Sequence, residues 1–70
     1  MITIIRNRIM VAIRLAEEPP TKLDVSKALD DVDPNLIYAE IEEMLNEGVL
    51  KPVHKKGYTT PRLAIKGAKK

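Results

Sequence analysis

The stretch DPNLIYAEIEEMLNEGVLKP, residues 33–52, decides how the rest of the chain is read. Asp33 followed by Pro34 is a helix start. The aspartate caps exposed backbone N–H groups, and proline at the first helical position lacks only a donor that would go unpaired anyway. Ile37, Ile41, Met44 and Leu45 then recur at helical spacing, as one apolar stripe. Gly48 supplies the left-handed residue that stops the helix. Together they predict a helix over 34–47. Beyond Gly48 the period changes: Val49, Leu50 and Val53 read as a strand, and Pro52 marks an edge position or an irregularity.

Towards the C-terminus, Lys55-Lys56-Gly57 reads as a turn, because glycine admits positive φ. Two returns are open. Tyr58-Thr59-Thr60 has strand propensity and could pair back on residues 49–53. Alternatively residues 54–62 form one long loop and residues 63–66 the returning strand, a layout in which Pro61 is better placed.

Towards the N-terminus, residues 30–33 make a one-turn connection to a short helix at about 24–29. Asp24 is its expected N-cap, with Val25, Ala28 and Leu29 as its apolar face and an extended segment at 21–23 before it. Pro19-Pro20 ends a first helix expected over about 4–17, since neither proline donates a hydrogen bond and each restricts its predecessor. A short strand over residues 1–3 is the alternative opening. Ile5, Ile9, Ala12, Ile13 and Ala16 share the core stripe of that helix. Ile4, Val11 and Leu15 form a second apolar row. Either the rest of the domain covers it, or it is a dimer interface covered by a second subunit.

A chain of 70 residues makes one small domain that buries only about 60% of its unfolded surface. Its 44% hydrophobic and 31% charged residues are those of an ordinary globular protein. Phe, Trp, Cys and Gln are absent, so the core must be aliphatic, and neither a disulfide scaffold nor a thiolate metal site is available. A single histidine leaves no plausible zinc site. The Ile-, Lys- and Glu-rich composition is a thermophile signal. No apolar run approaches the roughly 18 residues of a membrane span, and no secretory leader is visible, so a cytoplasmic location is expected.

Charge is distributed in blocks. Residues 1–16 carry +3, residues 17–50 carry −8, and residues 51–70 carry +7, within a net charge of +2. Clustered lysines and arginines gain free energy by releasing phosphate counterions, so the C-terminal third points to a polyanionic partner. Arg6, Arg8 and Arg14 fall on different sides of the first helix, which reads as solubility rather than one binding stripe.

Helix, short helix, one-turn connection, third helix and basic hairpin is the element order of a winged helix-turn-helix domain. The residues resemble that superfamily, in particular its small bacterial and archaeal regulators. PNLIYAEIEEMLNEGVLKP is similar to the family's third helix and the run into its wing, TKLDVSKAL to its second helix, and RIMVAIRLAEEPPT to its first. The likeness spans roughly residues 8–62. It implies an α+β, mostly helical fold: a three-helix winged helix-turn-helix over residues 1–66 with a small C-terminal β-hairpin wing, then a basic tail at 67–70.

The resemblance also implies duplex DNA as the partner, read by the start of the third helix and gripped at its phosphates by the wing. Base-reading positions would be Asn35, Leu36, Tyr38 and Ala39. Phosphate contacts would come from Lys27, Lys51, His54, Lys55, Lys56 and Arg62, with Tyr58 in the hairpin. One departure matters: the third helix has no Lys or Arg and carries Glu40, Glu42, Glu43 and Glu47. Either only its first turn enters the major groove, aided by the positive end of the helix dipole, or the wing dominates and the acidic face meets another protein. Two functions are therefore expected in competition. One is double-stranded DNA binding by a small transcriptional regulator or chromatin-associated factor, nucleoid-associated and homodimeric. The other is a protein-interaction module docking through the acidic helix. No Gly-rich phosphate loop or nucleophile–base pair occurs, so neither enzymatic activity nor a cofactor or metal is expected.

Overall fold

The computed structural model describes residues 2–66, which form α1 (Ile2–Leu15), α2 (Lys22–Ala28), α3 (Pro34–Glu47), β1 (Leu50–Val53) and β2 (Arg62–Ile65). The basic tail at 67–70 lies outside the described residues. Helix α3 has the limits its sequence predicts, and for local reasons. The Asp33 carboxylate accepts a hydrogen bond from the Asn35 backbone N–H at 2.9 Å, with Pro34 in the first turn. At the far end Gly48 turns left-handed at φ 83°, and the Val49 N–H reaches back to the Met44 carbonyl at 2.9 Å. The Lys66 ammonium stands over this end: a β-carbon on Gly48 would lie 3.8 Å from its Nζ. A cation there faces the negative pole of the helix.

The first two helices differ from expectation at their edges. Helix α1 already includes Ile2 and Thr3, so no strand forms there. It ends at Leu15, its last helical bond running from the Ala16 N–H to the Ala12 carbonyl at 3.2 Å. Pro19 holds Glu18 away from helical geometry, so the chain unwinds before Glu17. Helix α2 starts two residues earlier than expected, because Thr21 rather than Asp24 is its cap. The Thr21 hydroxyl accepts from the Asp24 N–H and the Asp24 carboxylate accepts from the Thr21 N–H, each at 3.1 Å. This reciprocal capping box satisfies two otherwise unpaired donors and makes residues 22–23 helical.

Of the two candidate hairpins, the longer one forms. Strands β1 and β2 pair antiparallel, with Leu50 opposite Ile65 and Val53 opposite Arg62. Tyr58, Thr59 and Thr60 lie in the connecting loop instead. They offer the core no aliphatic side chain, whereas Leu63 is buried and Ile65 packs against the buried cluster. The turn at the tip is as predicted: the Tyr58 N–H donates to the Lys55 carbonyl at 3.0 Å, and Gly57 has φ 98°. On its other side β2 is held by the Leu63 N–H, which donates to the Pro20 carbonyl at 2.8 Å. Proline lacks a donor but keeps its acceptor, so the Pro19-Pro20 break doubles as an anchor for the hairpin.

Ile9 and Ile13 of α1, Val25 of α2 and Leu29 at its C-cap, Ile37, Ile41 and Met44 of α3, Leu50 of β1 and Leu63 of β2 form one wholly aliphatic core. Three helices followed by a two-stranded C-terminal hairpin is the layout of a winged helix. No helix among the described residues is long and apolar enough to cross a membrane. Removing the centre of the core tests this packing. Ile41→Ala is expected to lower the unfolding free energy by about 2–5 kcal/mol, and half-exposed Leu23→Ala by less than about 1 kcal/mol. Urea denaturation of both variants measures the contrast, and equal losses would contradict it.

Candidate nucleic-acid interface

Successive residues of a helix turn by about 100°. With Ile37, Ile41 and Met44 directed inward, Asn35, Ala39 and Asn46 project to the opposite side, with Glu42 next to them. Tyr38 sits at the edge, half-buried. The Asn35 amide makes no side-chain hydrogen bond among the described residues; only its backbone N–H is used, in the helix cap. This outer face runs along a largely apolar groove of about 990 Å³. Lys22 and Leu23 at the start of α2, Tyr38 and Ala39 of α3, and Pro52 and Pro61 of the hairpin lie around it. The wing therefore rises directly beside the face expected to read bases.

The carboxylates of α3 are arranged differently from their number. Glu40, Glu43 and Glu47 share one stripe, turned towards α1. There the Arg6 guanidinium meets all three, at 2.8, 3.1 and 2.8 Å. Glu40 is buried beneath it. Glu42, on the outer face, pairs with Lys22 across the groove. Arg8 forms a two-pronged pair with Asp31, at 2.8 and 2.9 Å. Arg6 and Arg8 are thus structural partners rather than scattered solubilising charges. A sequence signal for Arg6 existed: it precedes Ile9 and Ile13 by three and seven residues, which sets it on the border of the core stripe.

The hydrogen bonds that Arg6 donates to Glu47 and Glu40 raise its guanidinium above its ordinary value, and the same bond to Glu47 holds that carboxyl below the usual range. The Arg8 hydrogen bond likewise lowers Asp31 and raises Arg8 itself. Asp24 is lowered first by the Thr21 backbone N–H.

The remaining expected contacts divide. His54, Lys55 and Lys56 are exposed around the wing turn, and Lys27 is exposed on α2. Leu36 is exposed but leaves α3 on the Glu40 and Glu43 side, away from Asn35 and Ala39. Lys51 borders a different hollow, with Arg14, Glu17 and Glu18, because alternate strand residues face opposite ways and its neighbour Pro52 takes the α3 side. Arg62 is half-buried: it lies 4.3 Å over the Tyr58 ring and donates to the Pro19 carbonyl at 3.1 Å, while its Nε is buried without a partner. Its contacts brace the wing against the α1–α2 connection, and Tyr58 is hairpin packing, as expected. Lys22, not anticipated as a site residue, borders the groove directly. Ile4, Val11 and Leu15 are exposed to 61%, 48% and 78%, so the domain leaves the second apolar row of α1 uncovered.

Among the described residues, no three acidic or histidine side chains cluster as a metal site. Comparison with protein-family models, with curated proteins and with solved structures yields no match to this chain.

Because Asp24, Asp31 and Glu47 have lowered folded values, the unfolded chain binds more protons in acid. Their contribution is complete above the unfolded values of about 3.9 and 4.3 and is lost as pH falls through the lower folded ones. Thermal midpoints should therefore be nearly flat from about pH 7 to 5 and fall steeply below about pH 4. Arg6→Met should lower the midpoint at neutral pH and shrink the acid-induced drop. A curve merely parallel to that of the unsubstituted protein would contradict this account of Arg6.

Proposed function

We propose that this chain binds double-stranded DNA, as a small transcriptional regulator or chromatin-associated factor acting in the cytoplasm at the nucleoid. One observation carries the reading. The three carboxylates of the Glu40, Glu43 and Glu47 stripe are drawn to Arg6 on the flank turned towards α1, and Glu42 is matched by Lys22, so no α3 glutamate stands without a cation beside the Asn35, Tyr38 and Ala39 corner, where the Asp33 carboxylate is taken up by the helix cap. That corner stands beside a hairpin tipped by His54, Lys55 and Lys56.

On this reading the first turn of α3 enters the major groove, where the Asn35 amide can give and accept a hydrogen bond on adenine. Lys55, Lys56 and His54 hold phosphates from the wing, and Lys27 holds one from α2. Base reading is confined to one helical turn, so affinity comes mainly from the backbone and depends strongly on salt. Docking of a protein partner through the acidic helix has less support, because Glu40 is buried and the other three already face Arg6 or Lys22.

Fluorescence anisotropy on a random duplex of about 30 bp, across a salt series, is the test. Binding should weaken steeply with salt. In Lys55→Ala/Lys56→Ala the slope of log affinity on log salt should become shallower by roughly 2, one for each lost phosphate contact. Asn35→Ala should leave the slope unchanged. Absence of binding at low salt would overturn the proposal.

A further inference from the structure

We infer that the exposed face of α1 is a self-complementary surface on which two copies of this chain pair with their α1 helices antiparallel. Ile4, Val11 and Leu15 point within about 40° of one another and span about 16 Å of helix. Both ends of this row are strongly exposed. They are not equivalent. Beyond Ile4 a largely apolar hollow of about 330 Å³ opens between α1 and α2 and runs from Asn7 and Arg8, past Val11, to Leu15, with Ala28 and Leu29 on its α2 side. At the Ile4 end a branched aliphatic side chain stands out, 61% exposed.

A surface carrying both a knob and a hollow is satisfied by a second copy turned through a two-fold axis, each copy giving what the other lacks. The axis falls between Arg8 and Val11. Ile4 of each copy then enters the hollow beside Leu15 of the other, and the two helix dipoles lie side by side in opposite directions. A parallel pair would stack Ile4 on Ile4 and leave both hollows unfilled.

Charge also selects this occupant. Arg8 is the one charged residue inside the row, and Asp31 of the same chain already holds it through two hydrogen bonds. The surface can thus close on a second copy whose Arg8 is likewise paired, without stranding an unpartnered ion, which would be costly. A partner of opposite charge would have no open ion on this row to meet. The seam is short, so association is expected in the range of roughly tens of micromolar.

Sedimentation without DNA tests the pairing independently of the proposed function. Over a rising concentration series the mass should climb from 7.9 kDa towards twice that value. Leu15→Glu and Val11→Glu should remain at 7.9 kDa while keeping the helical circular dichroism of the parent. The register is tested by thiols, since the chain has no cysteine. Mixed Ile4→Cys and Leu15→Cys variants should cross-link under mild oxidation, and neither should do so alone. A parent that stays monomeric at about 1 mM, well above the expected range, would overturn the inference. So would cross-linking of Leu15→Cys with itself, or mutants that still dimerise.

Discussion

The Ile37, Ile41 and Met44 stripe is the surface against which α1, α2 and β1 pack, with β2 held in turn by β1 and α1. Helix α3 touches α1, α2 and β1, and no second hydrophobic centre exists among the described residues. A chain this short has no surplus apolar surface, so one helix must serve both as the middle of the core and as the element offered to a partner. These demands meet on one cylinder. The inward third is aliphatic, the outward third carries Asn35, Ala39 and Asn46, and the flank between them is acidic.

That flank shows how charge is handled when space is scarce. Three glutamates at successive turns of an exposed helix face would repel one another and any nearby phosphate. A single arginine offsets one of the three charges and draws all three carboxylates to its side, because its planar fork donates in several directions at once, which a lysine ammonium on the same stem would not reproduce. Arg6 also lies between α1 and α3 and fixes their relative rotation. The pairing thus bears on the site through geometry as well as charge: it holds the acidic flank against α1, while the buried Ile37, Ile41 and Met44 stripe sets which face of α3 is outward.

Much of this was readable in the residues themselves. Helix α3 was, to the residue, because Asp33, Pro34 and Gly48 are local signals that need no tertiary partner. The start of α2 was misplaced because Thr21 and Asp24 are each plausible caps. By itself Asp24 reads as a cap, and only the reciprocal bonds with Thr21 make it the third residue of a capping box instead. The hairpin return stayed open since strand propensity in Tyr58-Thr59-Thr60 competed with burial of Leu63, and burial is decided by the whole fold. Of the expected interface, Tyr38 and Ala39 of α3 line one groove with Pro52 and Pro61 of the hairpin, and His54, Lys55 and Lys56 are exposed around the wing turn. Lys51 and Arg62 were indistinguishable from them by composition alone: strand parity turns one away, and an aromatic ring with a carbonyl occupies the other.

The bond from Leu63 to the Pro20 carbonyl gives the wing an asymmetric construction. Its root is clamped on both sides, by β1 and by the connection ahead of α2, while residues 54–61 beyond it touch the core only marginally. Length at the tip is therefore decoupled from stability, because doubling a flexible loop costs only about 0.6 kcal/mol in closure entropy. The same core could carry tips of different reach and charge, each set down at the same place beside α3, so that the partner surface can vary without the fold being rebuilt.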